Sequence, residues 1–77
     1  MPAQPAPIFA LAERSYGAAP RRERHAHLQV VLPLAGALDM TVGGAVGRVA
    51  GERFAVVAAG TDHAFHAAGA NRFLIAD

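Results

Sequence analysis

From residue 25 onward, glycine-bearing turns cut the sequence into apolar runs of five to eight residues. The turns are Ala35-Gly36, Gly43-Gly44, Ala50-Gly51, Gly60-Thr61-Asp62 and Gly69-Ala70-Asn71. Runs this short suit strands and leave no room for a helix of useful length. Their even spacing predicts an all-β sandwich or barrel of about seven short strands. Gly43-Gly44, between LDMTV and AVGRV, reads as a two-residue hairpin turn, because glycine tolerates the positive φ such turns need. Alternation places Leu38, Met40 and Val42 on one face, opposite Asp39 and Thr41. Phe54 and Val56 share a face, as do Phe73 and Ile75, and Met40 and Phe54 read as core.

The first 24 residues differ in kind. Met1 to Pro7 carries three prolines and reads as an extended arm. Ile8 to Glu13 suits either a first strand or a short helix. Ser15 to Arg24, with Gly17, Pro20, Arg21, Arg22, Glu23 and Arg24, reads as a polar loop. The expected division is therefore an arm with a candidate first strand and a polar loop over 1–24, and a barrel over 25–77.

Size and charge narrow the function classes. A chain of 77 residues is one domain, and one that small buries only roughly 60% of its unfolded surface. Hydrophobic residues make up 53% and charged ones 17%, against about 25% charged in average usage. So few charges leave apolar surface for a partner, which predicts a homodimer or a domain of a longer chain. A net charge of +1 and the absence of a recognition helix argue against nucleic-acid contact by this segment. Arg21, Arg22 and Arg24 then form a solvated loop with Glu23. No stretch reads as a signal peptide or approaches the roughly 20 apolar residues of a membrane span, so a cytoplasmic location is expected.

Candidate chemistry gathers on the histidines. RHAHLQVVLPLAG, residues 24–36, carries His25 and His27 two residues apart. On a strand this spacing puts both imidazoles on one face, about 7 Å apart. Gln29 and Val31 extend that face, while Leu28, Val30 and Leu32 line the other, so the strand reads as covered on both sides. Pro33 cannot donate to a ladder, so pairing should end or bulge there. His63 follows the Gly60 turn, and a barrel can bring it beside the first pair. Three imidazoles at His25, His27 and His63 suit a divalent transition metal (Zn, Fe, Ni or Cu), although a hydrogen-bonded, metal-independent cluster fits the same residues. Gln29 reads either as a cross-sheet hydrogen bonder or as a polar group orienting a small ligand. His66, three residues after His63, falls on the opposite face. Ser15 lies in the loop and offers no hydrolytic nucleophile, so no catalytic residue is assigned.

These segments resemble the cupin superfamily of small, jelly-roll-like β-barrels. Its first motif runs His-x-His, three or four residues, then Glu, with a glycine further on. Its second runs Gly, a short strand, Pro-x-Gly, two residues, then His. His25-Ala26-His27 stands for the first motif. Gly51, the strand Phe54 to Val57, Ala58-Ala59-Gly60 and His63 stand for the second. Val31 or Leu32 falls where the glutamate is expected, and Ala58 replaces the proline.

HAHLQVVLPLAGALDM, GRVAGERFAVVAAGTDHAF and GANRFLIAD are similar, more narrowly, to the N-terminal sensor domain of AraC-type bacterial transcription regulators. That resemblance implies a non-enzymatic domain that dimerises and binds a small-molecule effector, touching His25, His27, Gln29 and His63. It implies no required cofactor. DNA contact would belong to a C-terminal helix-turn-helix region not contained in this chain. The alternative is a stand-alone metal-binding cupin enzyme, a dioxygenase or an isomerase. An oligomerisation module without a ligand is the third reading.

Overall fold

A computed structural model describes residues 10–77. Eight strands occupy them: β1 (Leu11–Arg14), β2 (Arg21–Glu23), β3 (Gln29–Ala35), β4 (Ala37–Val42), β5 (Ala45–Ala50), β6 (Ala55–Val57), β7 (His63–His66) and β8 (Arg72–Ala76). They form two antiparallel four-stranded sheets, β1-β8-β3-β6 and β2-β7-β4-β5. Among the described residues no helix is long and apolar enough to cross a membrane.

Alternation explains how the sheets close on each other. The second sheet turns Leu38, Met40, Val49 and Phe65 inward, and the first answers with Val31, Val57, Phe73 and Ile75. Tyr16, in the β1–β2 connection, sets its ring edge-on to Phe65 at 4.8 Å and tilted against Phe73 at 5.8 Å. Asn71 fixes this connection: its Oδ1 accepts the Tyr16 N–H, and its Nδ2 donates to the Tyr16 carbonyl, each at 2.8 Å.

Burial pushes the Tyr16 phenol above its ordinary value; Arg14 and Arg21 oppose the shift, and Glu23 and Asp77 add to it. The folded chain thus keeps a proton that the unfolded chain releases near pH 10. The resulting stability is complete below that pH and is lost as pH rises through the folded value. Tyr16 is the only tyrosine, so alkaline denaturation followed by phenolate absorbance should show this slope, and Tyr16→Phe should flatten it.

Several expectations meet their residues here. The Gly43-Gly44 turn joins β4 to β5 with φ of 54° and 89°, and Val42 pairs with Ala45 across it. The β3–β8 register shifts between Pro33 and Ala35, where proline withholds a donor. Gly36 closes the same corner with φ 75°, so near the Ala70 carbonyl that a Cβ would stand 2.3 Å from its oxygen.

Other expectations change. The strand that starts at His25 by sequence begins at Gln29; Arg24–Leu28 carry the chain from one sheet to the other. The far face of β3 is not covered: Val30 and Leu32 are half-buried and Leu34 is exposed. Phe54 lies just before β6 and is 58% exposed rather than core. Leu11–Arg14 and Arg21–Glu23, which the sequence places ahead of the barrel, pair with β8 and β7. The proline-rich arm, Met1 to Pro7, lies outside the described residues.

Candidate metal and ligand site

One end of the barrel interior is polar, and both sheets supply it. In the second sheet Glu23 of β2 stands directly across from His63 of β7. The chain then crosses between the sheets, and His25 sits on that crossing. In the first sheet Gln29 opens β3, and Asp77 follows β8, one step past the Val30↔Ala76 pair.

Two contacts hold the crossing against the β7 turn. The Gly60 N–H donates to the His25 carbonyl at 2.7 Å. The Arg24 guanidinium grips both oxygens of Asp62, at 2.8 and 2.9 Å. Arg24 lies between Glu23 and His25, and Asp62 precedes His63, so this exposed pair draws the two donor-bearing backbones together. Its hydrogen bonds hold the Asp62 carboxyl below the usual carboxylate range. The clamp is therefore complete above that range and is lost as acid titrates Asp62.

Within the cluster, Glu23, His25 and His63 each offer one donor atom, and all three lie within 4.8 Å of one another. The His25 and His63 ring centroids are 5.1 Å apart. His63 forms the inner wall at 2% exposure. Glu23 and His25 are half-buried at the mouth, with His25 Nε2 3.1 Å from Glu23 Oε2. The His63 Nδ1 lies 3.3 Å from the Thr61 carbonyl, which can only accept, so this contact is a hydrogen bond in the tautomer that carries its hydrogen on Nδ1. That leaves a bare lone pair on Nε2, which is buried and has no hydrogen-bond partner. Buried polar atoms are normally satisfied, and an orphan one costs about 1–3 kcal/mol.

A divalent cation fits these residues. It would satisfy the orphan lone pair, and ligating histidines commonly donate their other ring N–H to a backbone carbonyl, as His63 does to Thr61. Donors on one ion at about 2.1 Å stand at most about 4.2 Å apart. Two imidazoles and a carboxylate suit zinc and ferrous iron in particular.

The structure places the four residues expected from sequence differently. His25 and His63 converge. Gln29 is buried beside His25, at 8% exposure. His27 is not in the cluster: its ring stacks outside His25 at 5.7 Å, its side chain is 56% exposed, and its Nε2 lies 3.3 Å from Asp77 Oδ1. The donor atoms that lie close together are therefore those of Glu23, His25 and His63, not of the three histidines. Alternation fails for His25 and His27 because they lie on a crossing, not on a paired strand. His66 points outward, 3.7 Å from Asp39.

Glu23 was hidden in a charge run, but its spacing carried a signal. Read two residues earlier, the His-x-His-x3-Glu frame falls on Glu23, His25 and Gln29, with Gly36 beyond. The carboxylate is present, at the first position instead of the last.

No protein-family model matches the chain, and no curated protein matches it. Solved structures do. A conserved protein of unknown function from Streptococcus pyogenes aligns with a TM-score of 0.78 and 24% identity, over 88% of this chain and 61% of its own. The cupin domain of Schizosaccharomyces pombe Cnp3 aligns with a TM-score of 0.79 and 18% identity, over 96% and 58%. At these identities the likeness establishes the architecture: this chain has the cupin fold. It spans about three fifths of the length of each of these structures.

Proposed function

We propose that this chain is the small-molecule-sensing and dimerising domain of an AraC-type transcription regulator, and that its ligand site is built on a divalent transition metal. The regulator assignment is supported by the wording of the strands, QVVLPLAGALDM and NRFLIAD. The metal is supported by one observation above all, the buried and unpartnered Nε2 of His63 beside Glu23 and His25. Glu23, His25 and His63 would hold the ion (zinc, iron, nickel or copper). Bound there, it would supply a Lewis-acidic coordination point for an effector at the barrel mouth. Gln29 and Asp77 complete the polar wall. The effector acts by binding two arrangements of the regulator unequally, so its signal is a shift between them.

Dimerisation is supported by the outward face of the first sheet, where Leu11, Leu34 and Val56 are exposed. DNA contact in this reading belongs to a helix-turn-helix region other than these 77 residues, and the regulator acts in the cytoplasm. A second reading, a metal-dependent dioxygenase or isomerase, is favoured by the donor set itself, because two imidazoles and one carboxylate leave coordination positions open for substrate.

Dialysis against each metal, followed by elemental analysis, should return one equivalent of metal per chain, and the loaded protein should shift no specific DNA in a gel. Protein that retains no metal removes the ion from this account. Tight, specific DNA binding by these 77 residues contradicts the sensor assignment.

A further inference from the structure

The Gln29 side chain presents its nitrogen to the cluster. Its Nε2 donates to Asp77 Oδ1 at 3.0 Å. A carboxylate only accepts, so Asp77 decides which end of the amide faces inward. The same Nε2 lies 3.4 Å from His25 Nε2. At that distance a hydrogen bond is weak, and His25 Nε2 has a nearer partner in Glu23 Oε2 at 3.1 Å. One hydrogen of the buried amide is thus spent on Asp77, and the other is held against the cluster with no strong acceptor.

Charge points the same way. Two neutral imidazoles and the Glu23 carboxylate leave a divalent ion with a net charge of +1. Two further carboxylates lie nearby: Asp62 is held by the Arg24 guanidinium, and Asp77 accepts from Gln29 through Oδ1, which lies 3.3 Å from His27 Nε2. An anion that coordinates through oxygen would neutralise the ion and accept the spare N–H of Gln29.

We propose that Gln29, turned by Asp77, selects an oxyanion, so that the ligand of this site is a small carboxylate-bearing molecule bound through its carboxylate oxygen. Asp77 is a positioning residue in this arrangement and touches the ligand only through Gln29. The inference rests on the metal reading above.

Cobalt(II) reports coordination by visible absorption, and oxalate is the simplest probe of the ligand class. Cobalt-loaded protein should show a saturable spectral change on titration with oxalate. Gln29→Glu should hold cobalt at least as well and bind oxalate about tenfold to a hundredfold more weakly, the range expected for a hydrogen bond to a charged group. Gln29→Met, of similar size and without a donor, should lose oxalate affinity to the same extent. Asp77→Asn should weaken oxalate several-fold while leaving cobalt affinity within about threefold, a split that damaged folding would not produce. Cobalt-loaded wild type that ignores oxalate, or Gln29 variants that bind it as wild type does, would overturn the proposal. Wild type that shows no cobalt spectrum at all brings down the metal reading, and this inference with it.

Discussion

Zinc supplied at a hundred times its dissociation constant is expected to stabilise the chain by about 2.7 kcal/mol, because it binds the folded state and not the unfolded one. For a domain of this size that is a rise in Tm of roughly 10–20 °C. His63→Leu should abolish the rise. That substitution fills the same space with carbon; it removes the orphan nitrogen but also the Nδ1 contact with the Thr61 carbonyl, so without zinc the two effects offset and the variant should stay within about 1 kcal/mol of wild type. The pairing of results matters: a residue kept only for packing would lose baseline stability and leave any zinc response intact. Differential scanning calorimetry with and without zinc reads both quantities.

The second large effect concerns the core. Phe73 is fully buried on β8, between the inward faces of both sheets and against the Tyr16 ring. Phe73→Ala should cost about 3–5 kcal/mol, the usual toll for deleting a buried aromatic ring. At typical values of 0.05–0.15 kcal/mol per residue, the whole domain holds only about 4–12 kcal/mol. The variant should therefore lose a quarter or more of the domain's stability and melt roughly 12–40 °C lower by circular dichroism, whereas Phe73→Leu should stay much nearer to wild type. A loss under about 1 kcal/mol in urea denaturation would show that this cluster does not carry the fold.

Much of the architecture could be read from the sequence because glycine and alternation are local signals. Gly43-Gly44 needed only its own backbone freedom to mark the hairpin. Leu38 and Met40, or Phe73 and Ile75, needed only strands long enough to show a period of two. The same rule placed His63 inside and His66 outside.

The site was harder because it is assembled at an irregularity. His25 and His27 look like a strand pair, but Arg24–Leu28 pass between sheets, and a crossing does not alternate. Glu23 belongs to a three-residue strand, too short to show a face, and is flanked by arginines that make the segment look solvated. Only the pairing with β7 reveals that this carboxylate stands opposite His63. Asp77 reaches Gln29 and His27 through the register of β8 against β3, a long-range pairing that no local pattern encodes. Phe54 departs from its expected burial for a related reason: apolar identity predicts burial only where the backbone turns the side chain inward.

The central claim is the identity of the triad, and zinc titration calorimetry on four chains tests it directly. Glu23→Gln and His63→Leu should each weaken zinc by at least about a hundredfold, beyond what outer partners of a metal site usually cost. His27→Ala should stay within about tenfold of wild type. If His27→Ala abolishes binding while Glu23→Gln leaves it unchanged, the ion rests on three histidines, and the site described here is wrong.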